Sequence, residues 1–135
     1  MDRYNEIKEL IRSKTINIDE VVDQSIAPFR WLASSIGEGK ANLKTNTVDF
    51  IVIKVLDKED RVYKFKTKQS FDVYVFGTFR KYFNPTKAVA DAFAEFYLEM
   101  GILPNIIAVP KHILIDNQKD VLRKISNGVL IYERR

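Results

Sequence analysis

A run of eleven residues in the middle of the chain, NTVDFIVIKVL at positions 46–56, limits the possible folds more than any other segment. It is rich in β-branched residues and nearly continuous in apolar character, which is typical of a strand buried along most of its length. Such a strand requires neighbouring strands and helices packed on the resulting sheet. The run therefore predicts a domain built around a β-sheet.

Helix and strand patterns surround this run. The spacing of Tyr4, Ile7 and Ile11 predicts a short helix over residues 2–13, and NIDE at 17–20 resembles a capping box that opens a second helix. A strand is predicted at 61–68, which would form a hairpin with 47–56. Further strands are predicted at 71–79 and in the segments LPNIIAVPK and GVLIYERR. Helices are predicted over 85–100 and in the segment NQKDVLRKIS. The buried stripe of the helix over 85–100 is predicted to include Tyr97. The fold class is therefore α/β or α+β, a mixed sheet of about four or five strands flanked by helices, in one domain over residues 1–135.

Composition narrows the range of functions. The 135 residues include no cysteine, which excludes disulfides, thiolate catalysis and cysteine-ligated zinc. Lys and Arg number 22 against 18 Asp and Glu, and the resulting net charge of +4 is compatible with a nucleic-acid partner. The charged start of the sequence and the lack of any long apolar window predict a cytoplasmic protein without a membrane span.

The segment VYKFKTKQS at 62–70 carries the most concentrated positive charge. As a strand it places Lys64, Lys66 and Lys68 on one face, which is either an ordinary solvated face or a surface that binds phosphates. Further cations lie around the start of the helix predicted over 85–100, namely Arg80, Lys81 and Lys87. The aromatic residues between these charges, which could stack on bases or belong to the core, are Tyr74, Phe79, Tyr82 and Phe83.

Asp49 at the start of the buried strand, followed by a turn and a second strand ending at Lys68, resembles the core of the PD-(D/E)xK nucleases. This superfamily includes restriction endonucleases and Holliday-junction resolvases, and the resemblance in element order covers about residues 18–133. In that family two acids hold Mg²⁺ and a lysine orients or activates the attacking water. The resemblance implies that Asp49 is the first acid and Lys68 the catalytic lysine. The second acid would fall at position 66, which is a lysine here.

The resemblance leaves two possibilities for the metal site. Some members of the superfamily carry the second acid on the following helix, where Asp91 and Glu95 lie, and Glu20 would match an accessory metal-binding acid. If one of these carboxylates reaches Asp49, the protein would use Mg²⁺ or Mn²⁺. Otherwise the metal site is degenerate and no cofactor is expected.

Three functions follow from these observations. The first is a nucleic-acid-binding protein on a nuclease-like fold with a degenerate metal site, for which DNA is favoured over RNA as the partner. The second is an active Mg²⁺-dependent nuclease or resolvase. The third is a small regulatory protein without a nucleic-acid role, which would form a homodimer through apolar surface such as FDVYVFGTFRKYF. The single histidine, His112, is weak evidence for catalysis.

Overall fold

A five-stranded mixed sheet organises the computed structural model, which describes residues 3–20, 32, 47–55, 71–79, 94, 95, 97, 98 and 105–134. Its strands are β1 (Ile16–Asn17), β2 (Thr47–Val55), β3 (Phe71–Thr78), β4 (Asn105–Pro110) and β5 (Val129–Glu133). They are arranged in the order β1-β5-β2-β3-β4. β2 is antiparallel to β3 and β5, whereas the pairs β1–β5 and β3–β4 are parallel. The predicted α+β class, a mixed sheet flanked by helices, is confirmed.

The helices that the structure describes in full are α1 (Arg3–Lys14), α2 (Lys111–Asp116) and α3 (Gln118–Ile125). They share one core cluster with side chains from one face of the sheet, including Phe50, Val52 and Phe76. The intervening residues Ile51 and Ile53 are also buried, and alternation along the strand places them on the other face. β2 is therefore covered on both faces, as its apolar sequence predicts.

α1 lies on the sheet through an apolar stripe. Tyr4, Ile7 and Ile11 are buried, and both isoleucines have no exposed surface. Burying each of these isoleucine side chains contributes about 1.5–3 kcal/mol, so the stripe is sufficient to fix the helix against the sheet. The helix predicted over residues 2–13 is confirmed, displaced by one residue.

The predicted capping sequence begins a short turn of 3₁₀ helix. The Asn17 side chain accepts a hydrogen bond of 2.9 Å from the backbone N–H of Asp19, and the turn spans Ile18–Glu20. Asn17 thus caps the turn as expected from its sequence position. Most of the helix predicted to follow lies outside the described residues, but Leu32 is helical and completely buried.

The antiparallel partner of β2 differs from the predicted one. β2 pairs with β3 from Thr47 to Val55, and over Phe50–Ile53 its other edge is bonded to β5. A strand has only two hydrogen-bonding edges, so residues 61–68 cannot pair with Phe50–Ile53 in the predicted hairpin. The 61–68 segment itself lies outside the described residues.

Much of the described part of the proposed dimer surface is core, because β3 is bonded on both edges and Val73, Val75 and Phe76 have no exposed surface. Dimerisation itself stays a prediction. Tyr97, predicted to be buried, is 45% exposed, and the adjacent Leu98 is 81% exposed. The buried stripe predicted for the helix over 85–100 therefore does not include Tyr97.

A β-bulge interrupts the ladder between β2 and β3 at Asp49. Val48 pairs with Gly77 and Phe50 pairs with Phe76, which leaves Asp49 as the extra residue. The strands approach closely here, because a Cβ atom on Gly77 would lie 2.0 Å from the carbonyl oxygen of Thr47 and 2.9 Å from the Phe79 ring. Glycine at position 77 is therefore required by the close approach of the two backbones.

We expect Gly77→Ala to lower the free energy of unfolding by about 3 kcal/mol, because the new methyl group meets a backbone carbonyl that cannot move without breaking the ladder. Urea denaturation measures the change. Thr78→Ala, at the exposed next position of the strand, is the control and should cost about 1 kcal/mol or less. An unfolding midpoint for Gly77→Ala equal to that of the wild type would contradict the close approach.

Candidate nucleic-acid interface

The bulge directs the half-buried side chain of Asp49 towards α1. The hydroxyl of Tyr4 donates a hydrogen bond of 2.5 Å to Asp49 Oδ2, and the Asp49 carbonyl oxygen accepts one of 2.8 Å from the N–H of Arg134. The first bond has the length typical of a hydroxyl donor to a carboxylate. Asp49 is therefore held by α1 through its side chain and by the residue after β5 through its backbone.

Two lysines lie against the ring of Tyr4. The Nζ atom of Lys8, one turn further along α1, is 4.8 Å from the ring centroid, and that of Lys111, the first residue of α2, is 4.6 Å from it. Both distances are within the range of a cation–π interaction. Within the described ranges neither lysine forms an ion pair with a carboxylate, so both ammonium groups keep donors for a ligand.

The next cation along α1 has a structural role. Arg12 binds Glu133 of β5 through two hydrogen bonds of 2.9 and 3.0 Å and also binds Glu9. The hydrogen bond with Glu133, partly opposed by desolvation, raises the pKa of Arg12 above its ordinary value. This two-point ion pair ties α1 to the edge of β5, so Arg12 is occupied and Glu133 is neutralised.

The cluster of Tyr4, Lys8, Lys111 and Asp49 combines a fixed carboxylate with two cations over an aromatic ring. Lys8 and Lys111 come from different helices, and both lie against the ring of Tyr4, which is only 5% exposed. The arrangement can bind an anionic group through the ammonium groups and accept a hydrogen bond through the carboxylate. We call these four residues the Tyr4 cluster.

The metal site predicted from Asp49, Glu20, Glu95 and Asp91 stays a prediction, because Asp91 lies outside the described residues. Asp49, Glu20 and Glu95 are all described, and Glu20 and Glu95 are exposed, yet no group of three or more acidic or histidine side chains among the described residues could hold an ion. Opposite the bulge, β3 carries Phe76 and Gly77, which supply neither a carboxylate nor a lysine.

Most of the predicted cationic surface falls outside the described residues. These positions are Lys64, Lys66, Lys68, Arg80, Lys81 and Lys87, together with the candidate acid Asp91. His112 is exposed at the start of α2. Phe79 is half-buried, and Tyr82 and Phe83 are not among the described residues.

Tyr74 is unavailable as a stacking platform, contrary to one of the predicted alternatives. It is 7% exposed within the core cluster, and its ring stacks on Phe76 with a centroid distance of 6.4 Å. Burial, followed by the nearby Asp72 carboxylate, raises the pKa of Tyr74. Asp72 in turn accepts a hydrogen bond of 2.9 Å from the side-chain amide of Asn105, which links β3 to β4.

Sequence patterns indicated Asp49 but neither the tyrosine that binds it nor the two lysines against that tyrosine. Tyr4 was predicted only as a core residue, and Lys8 and Lys111 were not singled out. The spacing of Tyr4, Lys8 and Arg12, each four residues apart, places them along one side of α1 and is a signal that the sequence contains. No local pattern shows that α2 brings Lys111 to the same ring.

Comparisons with protein families, with characterised proteins and with solved structures find no match to the chain. Among the described helices, none is long and apolar enough to cross a membrane.

A double-mutant cycle tests the Tyr4–Asp49 hydrogen bond. Tyr4→Phe retains the ring and its lysine contacts but leaves Asp49 Oδ2 without its donor, and we expect it to lower the free energy of unfolding by about 1–3 kcal/mol. In the Asp49→Ala background the same change should cost at least about 1 kcal/mol less. Strict additivity of the two changes in urea unfolding would show that this bond does not stabilise the fold.

Proposed function

We propose that the chain binds nucleic acid through its phosphate backbone and does not cut it by a metal-dependent mechanism. The observation that carries this proposal is the pair of ammonium groups of Lys8 and Lys111, both held against Tyr4 and both without a carboxylate partner in the described part of the chain. Cations that are positioned but not neutralised by the protein are suited to an anionic ligand.

The chemistry of lysine favours a phosphate as that ligand. A lysine ammonium acts as a point charge that accepts many approach directions, which suits the repeated and conformationally variable phosphates of a polynucleotide. Each phosphate neutralised by lysine releases condensed counterions, so a small number of contacts gives useful affinity at low salt. The net charge of +4 adds a long-range attraction to any polyanion.

The same surroundings disfavour a metal ion at Asp49. One carboxylate oxygen accepts the Tyr4 hydroxyl, and two ammonium groups lie close to the ring of that tyrosine. A divalent cation at Asp49 would be repelled by both lysines and would need further oxygen ligands. The active nuclease remains the alternative proposal, with Asp91 or Glu95 as the second acid and Lys68 as the catalytic lysine.

Changing Lys8 and Lys111 together to alanine should weaken binding of a labelled DNA oligonucleotide about tenfold or more at low salt. It should also reduce the slope of log K against log salt concentration by about 2, because two phosphate contacts are lost. Fluorescence anisotropy at KCl concentrations from about 50 to 200 mM measures both quantities. The loss should be similar for unrelated sequences, because phosphate contacts carry no base information.

The matched control is the double variant Lys119→Ala, Lys124→Ala on α3, which removes the same charge outside the Tyr4 cluster. Lys124 is already paired with Asp120 at 3.1 Å, so its loss should affect binding little. Equal effects of the two double variants would mean that net charge, and not the cluster, determines binding. Retention of full affinity by the Lys8, Lys111 variant would remove the cluster from the interface.

We expect no metal-dependent cleavage of DNA or RNA by the wild-type protein with Mg²⁺ or Mn²⁺. The physical reason is that no group of three or more acidic or histidine side chains among the described residues could hold a metal ion, and that Asp49 is bound by a tyrosine whose ring contacts two lysines. Gel assays with end-labelled substrates test this, with EDTA as the control. Cleavage that is abolished in Asp49→Ala and in Glu95→Ala would establish the nuclease alternative.

A further inference from the structure

We infer that the Tyr4 cluster selects RNA over DNA, because Asp49 accepts a hydrogen bond from a ribose 2′-hydroxyl next to a phosphate held by Lys8 and Lys111. This inference rests on the proposed function, since it assigns a role to a carboxylate within a phosphate-binding site. It names the type of nucleic acid, which the lysines alone do not determine.

The carboxylate of Asp49 has one oxygen available. Tyr4 donates to Oδ2, whereas Oδ1 has no hydrogen-bond donor among the residues that the structure describes. The side chain is half-buried, so part of it is accessible to a ligand. The bulge, the Tyr4 hydroxyl and the backbone bond from Arg134 together hold Oδ1 in a fixed position.

A fixed carboxylate is unfavourable in a site that binds only phosphates. It repels each phosphate oxygen and has no proton to donate, so it lowers affinity unless the ligand brings a hydrogen-bond donor. The sugar–phosphate backbone of DNA has acceptors but no donor. In RNA the 2′-hydroxyl is a donor on every nucleotide, and it is the group by which proteins distinguish the two nucleic acids.

The cluster therefore offers the two features that an RNA backbone needs, cations for the phosphate and an acceptor for the neighbouring hydroxyl. The resemblance to nucleases favours DNA as the partner, but it rests on residues around Lys68 and not on this carboxylate. The amino groups and ring N–H groups of the bases are the other donors in a nucleic acid. They occur equally in RNA and DNA of the same base sequence, so a matched comparison separates them from the 2′-hydroxyl.

The experiment compares three 12-nucleotide single strands of one base sequence: RNA, the deoxy strand with uracil in place of thymine, and the 2′-fluoro strand. The 2′-fluoro strand lacks the donor hydrogen but keeps a sugar shape similar to that of RNA, so it separates hydrogen bonding from shape. We expect the wild-type protein to bind RNA about tenfold more tightly than either other strand, the usual size of a hydrogen bond to a charged group.

Asp49→Ala should abolish this preference, and Asp116→Ala, which removes an exposed carboxylate from α2, should retain it. Circular dichroism establishes whether Asp49→Ala is folded, and the 2′-fluoro comparison needs no variant. Equal binding of all three strands by the wild type would overturn the inference while the proposed function stands. A preference for RNA that survives in folded Asp49→Ala, or that the 2′-fluoro strand shares, would also overturn it. If no strand binds, the proposed function itself fails.

Discussion

The burial of β2 on both faces and along both edges is the constraint on which the rest of the structure depends. Phe50 and Val52 meet the helices on one side, Ile51 and Ile53 are buried on the other, and β3 and β5 occupy the two edges. A strand enclosed in this way has no tolerance for a shift in register, because a slip by one residue exchanges its two faces. The bulge at Asp49 is the point where this regular pairing ends and a polar side chain becomes available.

The Tyr4 cluster combines opposing electrostatic effects at that point. Half-burial of a carboxylate is unfavourable, and the short hydrogen bond from Tyr4 offsets part of this cost. The two lysines gain from the face of the tyrosine ring without being neutralised by it, since a cation–π contact leaves the ammonium protons free for other acceptors. Arg12, by contrast, is satisfied by Glu133 and Glu9 and contributes to stability, not to ligand binding.

Local patterns in the sequence predict helices and strands, but they do not predict which of these elements contact each other. The stripe Tyr4, Ile7 and Ile11 predicts α1, since helix periodicity depends only on neighbours within two turns. The predicted pairing of β2 was wrong because strand pairing depends on which distant strand fits each edge. Nothing within residues 47–68 encodes that choice. Asp49 was predicted as a site residue from the resemblance to nucleases. Its contact with Tyr4 joins residues 45 positions apart and has no local signature in the sequence.

The attachment of α1 to β5 affects the order in which the chain assembles the Tyr4 cluster. The Arg12–Glu133 pair spans 121 positions, and the backbone bonds from Ile16 to Gly128 and from Asn127 to Lys14 join the same two regions. These contacts join segments far apart in the sequence, so they form only after β5 has been synthesised. Tyr4 and Lys8 are made early and Lys111 much later, so the Tyr4 cluster is complete only in a chain that has reached α2.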